Sequence, residues 1–144
     1  GFEGNSTTQE AFLCRAFVVA FVVAFGEFAT GHQFTEHLPQ EVAVVGLHTV
    51  FEHHAAMTPV SLQAFLHEYR VGFPVGVDAP GVDANDPIPL TMRAYGMQGT
   101  PTLVLIDRAG HLRRHAFGAE DDLVLGAAIA ALIVEGDGET TPPD

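Results

Sequence analysis

Ten consecutive residues, Ala16 to Phe25 in the order A-F-V-V-A-F-V-V-A-F, carry no polar side chain. A membrane-spanning helix needs about 20 apolar residues, so the run is too short for one. A secretory leader wants a positive start, whereas Glu3 and Glu10 precede this run and only Arg15 stands beside it. That leaves a signal or anchor as the alternative to a buried strand. Continuous Val and Phe, rather than strict alternation, mark a strand covered on both faces, and such strands belong to sheets with helices on either side.

The rest of the chain supplies the partners such a strand needs. Glu41 to His48, E-V-A-V-V-G-L-H, reads as a second buried parallel strand that ends on a polar residue. Thr58-Pro59 opens a helix, with Thr as the cap, Pro at the first position, and Leu62, Phe65, Leu66 and Tyr69 at helical spacing. Gly72 and Pro74 stop it, and a short strand follows over Phe73 to Val77. Asp78 to Pro89, rich in Asp and Pro, reads as a solvated loop, then Pro89 to Tyr95 as a short helix ending at Gly96. Thr102 to Ile106 is a strand, Asp107 to Gly110 a hairpin turn, and His111 to Phe117 the returning antiparallel strand. Asp121 and Asp122 favour a helix start, and Leu123 to Val134 forms an Ala-rich helix against the sheet. One domain over residues 1–134 is expected, with Gly1 to Glu10 an irregular lead-in and residues 135–144 a disordered tail.

Charge and cysteine usage exclude whole classes of function. Against 18 Asp and Glu stand six Arg and no Lys, giving a formal net charge of −12. No basic cluster larger than Arg113-Arg114 is available to neutralise phosphates, so neither nucleic acid nor an anionic membrane is an expected partner. Cys14 is the only cysteine. An intrachain disulfide, intramolecular dithiol chemistry and any metal site with two thiolates are therefore ruled out within these residues. One thiol does not separate compartments; a cytoplasmic location is expected, with the periplasm left open.

The element order, the Thr100-Pro101 step directly before a strand and the terminal β-β-α unit form the layout of the thioredoxin fold. The segments E-V-A-V-V-G-L-H-T-V-F-E-H-H-A-A-M-T-P, F-L-H-E-Y-R-V-G-F-P-V-G-V-D and Y-G-M-Q-G-T-P-T-L-V-L-I-D-R-A-G resemble bacterial redoxin-domain proteins of the thiol-disulfide oxidoreductase and peroxiredoxin-related branch. The likeness spans roughly Glu41 to Ile133. It implies an α/β three-layer sandwich with a mixed central sheet, and a cis-proline at Pro101 after Thr100, facing the redox motif. It also implies a C-x-x-C motif at the start of a helix after the first strand, where exposed N–H groups lower a thiol pKa. At that place this chain has Ala29, Thr30, Gly31 and His32, so both cysteine positions are empty. The helix that should follow is shortened to Gln33 to Gln40, with Pro39 near its end. A sheet face left partly open in this way is consistent with closure by a second copy in a homodimer.

Three sets of residues compete as chemical candidates. Cys14 would serve a single-cysteine peroxidase, with Arg15 to favour its thiolate, but it precedes the first strand and so sits away from the active-site mouth. His32 replaces the second motif thiol and titrates near neutrality, although an imidazole does not conserve redox function. His48, His53 and His54 invite a metal, yet adjacent histidines seldom converge on one ion and the H-T-V-F-E-H-H segment lacks helical i, i+4 ligand spacing. Asp78, Asp83 and Asp86 lack the calcium-loop pattern. No cofactor is expected. The leading expectation is a redoxin relative without dithiol activity; the alternative is a non-catalytic module that holds a peptide or protein segment in the cis-proline groove.

Overall fold

A computed structural model describes residues 18–23, 41–83 and 85–138, with the backbone alone described for 18–23 and 136–138. Five strands form one mixed sheet: β1 (Val18–Val23), β2 (Val42–His48), β3 (Val75–Val77), β4 (Thr102–Ile106) and β5 (Leu112–Phe117), in the spatial order β3-β2-β1-β4-β5. The apolar run of Ala16 to Phe25 thus contributes the central strand. β1 pairs parallel with β2 and antiparallel with β4, β2 pairs parallel with β3, and β4 pairs antiparallel with β5. Three helices are described: α1 (Pro59–Glu68), α2 (Leu90–Ala94) and α3 (Asp122–Gly138).

Alternation along the strands divides the core into two layers. Val42 and Val44 of β2 and Leu105 of β4 pack with Leu125, Ile129 and Leu132 of α3 on one face. Val104, next to Leu105 and therefore turned the other way, packs with Met92 of α2 and with Met97. Among the described residues, helices thus pack on both faces of the sheet, which gives helix, sheet and helix in three layers. Fully burying a Leu or Ile side chain contributes about 1.5–3 kcal/mol, so both clusters contribute substantially to the stability of the fold.

Local chemistry sets the element ends. Thr58 caps α1, its hydroxyl accepting from the Ser61 N–H at 3.3 Å, with Pro59 in the first turn. The β4–β5 turn is tied by Asp107, which accepts from the N–H groups of Ala109 at 3.0 Å and His111 at 2.9 Å. Asp121 accepts from Leu123 and Val124 at the start of α3. Three sequence expectations are corrected. The third strand begins at Val75 rather than Phe73: Pro74 has no N–H to give to a ladder, and its carbonyl, accepting from Gly46 N–H at 2.8 Å, makes the first bond to β2. Tyr69, placed by spacing on the apolar face of α1, is exposed. The last helix runs to Gly138 instead of stopping at Val134, with Glu135 held by Arg113 of β5 at 2.7 Å.

Candidate functional site

Strand directions decide which edge of the sheet can be a site. The carboxyl ends of β1, β2 and β3 lie together, with Val23 opposite Thr102 and His48 opposite Val77. β4 begins at that edge and β5 ends there, Phe117 pairing with Thr102. In open α/β sheets the loops leaving the carboxyl ends of parallel strands form the binding crevice. Thr100 and Pro101 sit immediately before β4 and so stand in the middle of this mouth, joined by a cis peptide bond.

The loop that carries them is fixed through their neighbours. Thr102, buried, donates its hydroxyl to the Gly99 carbonyl at 2.6 Å, and the Pro101 carbonyl accepts from Gly118 N–H at 2.9 Å. Gly99 is buried beneath Phe117: a side chain there would place its Cβ 3.2 Å from the phenyl ring. Thr100 itself is exposed.

A second anchor comes from Asp78, directly after β3. α2 follows Pro89, which gives it no side-chain cap. The buried Asp78 carboxylate supplies one from another element, accepting from Thr91 N–H at 2.9 Å and Met92 N–H at 3.0 Å. Thr49, beyond β2, donates its hydroxyl to the same carboxylate at 3.2 Å. One side chain thus ties the ends of β2 and β3 to the helix that leads into the Thr100-Pro101 loop. The sequence placed Asp78 in a solvated loop; that reading holds for exposed Asp83 and is corrected for Asp78. Asp86 forms a bidentate pair with Arg93 at 2.6 Å, and its carboxyl is held below the usual range, chiefly by the Ile88 N–H.

The sequence-level candidates divide. Cys14 and the motif positions Ala29, Thr30, Gly31 and His32 lie outside the described residues, as does the shortened helix. His48 is buried at the end of β2, and burial pushes its imidazole below the ordinary value of 6.5. His53 and His54 are exposed, and among the described residues no three His, Cys, Asp or Glu side chains come together to hold a metal. Likewise among the described residues, no helix is long and apolar enough to cross a membrane. Sequence reasoning missed the Asp78 staple and the Phe117 contact with Gly99; only the pairing of Phe117 with Thr102 could have signalled the second.

A thioredoxin-like superfamily protein of known crystal structure matches 85% of this chain and 84% of its own, with 48% identity and a TM-score of 0.78. A thiol-disulfide isomerase from Corynebacterium glutamicum is 35% identical over 91% of this chain and 88% of its own, with a TM-score of 0.75. The chain belongs to the thioredoxin-like thiol-disulfide oxidoreductase family. The fold is shared more widely, as with a DsbE-type interchange protein from Chlorobium tepidum, 22% identical over 82% of this chain and 81% of its own, TM-score 0.62. No protein-family model and no curated protein sequence matches the chain. Membership of this thioredoxin-like family fits the mouth just described, with the Thr100-Pro101 loop at its centre.

Proposed function

We propose that this thioredoxin-like chain does not carry out dithiol–disulfide exchange and instead holds an extended peptide segment at the Thr100-Pro101 loop. Exchange within one domain takes two thiols: a thiolate attacks one sulfur of the substrate disulfide, and a second thiol resolves the mixed disulfide, leaving the enzyme oxidised and the substrate reduced. The observation that carries the reading is the stretch between β1 and β2, where the family resemblance puts the thiol pair. Residues 24–41 contain no cysteine at all. Because both flanking strands belong to the sheet, this holds whatever register is chosen inside the stretch.

The binding half of the reading is supported by the exposed residue Thr100, set on a loop whose neighbours are already hydrogen-bonded. Extended segments gain affinity from main-chain hydrogen bonds at such positions, and their side chains supply specificity. Insulin reduction in dithiothreitol checks the catalytic half. Precipitation is expected no faster than with a Cys14→Ser variant; turnover clearly above that variant refutes the loss of exchange chemistry. For the binding half, Pro101→Ala is expected to release a bound segment without altering any turnover.

A further inference from the structure

The charges of the described residues are unevenly shared between the two edges of the sheet. From the mouth leave Glu52 after β2, Asp83 after β3, and Asp121 and Asp122 after β5, all exposed carboxylates. Arg93 is also near this edge, and Asp86 engages it on both oxygens. Arg70, Arg108 and Arg113 lie toward the other edge, where β3 begins and the β4–β5 turn closes, together with Glu41, Glu68, Asp107 and Glu135, so that both signs are mixed there. A mouth of one sign draws ligands of the opposite sign and disfavours like-charged ones.

The same edge exposes a large apolar group. Phe117 is 55% exposed, although its ring rests on Gly99, one residue before Thr100. The close approach to a glycine fixes one side of the ring and leaves the other open. A rigid aromatic face costs little conformational entropy to engage and buries considerable area, which is what an apolar anchor of a bound segment needs.

We propose that the segment held at Thr100-Pro101 is a cationic peptide that lays a bulky apolar side chain on Phe117. This rests on the peptide-binding reading above and adds the chemistry of the occupant. Its arginine or lysine groups face Glu52, Asp121 and Asp122, while its backbone follows the Thr100 loop.

Fluorescence anisotropy with three labelled eight-residue peptides tests it: alternating Arg and Leu, alternating Glu and Leu, and alternating Arg and Ser. The Arg-Leu peptide is expected to bind at least about tenfold more tightly than either of the others. Phe117→Ser removes its advantage over Arg-Ser, and Phe117→Leu retains most of it. The double variant Asp121→Asn, Asp122→Asn weakens Arg-Leu binding at least about threefold more than Glu41→Gln, Glu68→Gln, which removes the same charge toward the other edge. Equal binding of the three peptides, or equal effects of the two charge pairs, overturns the proposal; if Pro101→Ala still abolishes that binding, the underlying peptide reading stands. Arg-Leu binding that Pro101→Ala leaves unchanged overturns both, as does absence of binding by every peptide.

Discussion

His48 shows how one residue couples the site to solution conditions. It ends β2 at the mouth, is buried there, and its backbone carbonyl accepts from Asp78 N–H at 3.0 Å. Burial disfavours the imidazolium, so the folded-state pKa lies below 6.5. The sign follows from which state takes the proton first. Above pH 6.5 the ring is neutral in both states and the fold keeps its full stability. As pH falls through 6.5 toward the lowered folded value, the unfolded chain protonates first and stability is lost. Urea unfolding at pH 7.5 and 5.5 is expected to show a larger acid loss in the natural chain than in His48→Asn; equal losses would assign the pH dependence elsewhere. In the sequence His48 was a weak metal candidate beside His53 and His54; its place at a strand end was visible and its own burial was not.

Among the elements, α2 depends on a residue far from it in sequence. Asp78 is separated from Thr91 by 13 positions, yet its carboxylate serves as the cap that Pro89 cannot provide. Asp78→Ala removes a buried charged acceptor from two N–H groups and a hydroxyl, and should cost about 2–3 kcal/mol in urea unfolding. Asp78→Asn should recover part of that loss, and a cost near zero for Asp78→Ala would mean that water replaces the carboxylate. The contrast with α1 explains what the sequence could reveal. Thr58-Pro59 and the turn at Asp107 are local signals, bonded within a few residues, and both elements form where the pattern puts them. The Asp78 staple, by contrast, joins segments distant in sequence, and so does the pair that meets α3 past Val134. Beyond Val134, Glu135 of α3 meets Arg113, whose guanidinium also reaches Asp107 at 3.1 Å. No window of sequence contains both partners.

For the whole molecule, a net charge of −12 without a single lysine is the governing feature. Self-repulsion of this size opposes the compact state, and salt screens it over a Debye length of about 10 Å at 0.1 M. The thermal midpoint should therefore rise between 0.05 and 0.5 M sodium chloride, measured by circular dichroism; a fall would mean that ion pairs such as Arg113–Glu135 outweigh the repulsion. The chain's place in the thioredoxin-like family was legible from the Thr100-Pro101 step and the β-β-α ending, because both are short-range patterns. The acidic cast of the mouth was not, since it emerges only when loops from β2, β3 and β5 gather at one edge. That same arrangement puts the turn at Ala109-Gly110 at the far end of β4 from Pro101, exposed and outside every contact at the mouth. A fluorophore or surface tether attached at Ala109 would leave the mouth pointing away from its support, so this hairpin is a natural handle for immobilising the protein in a working orientation.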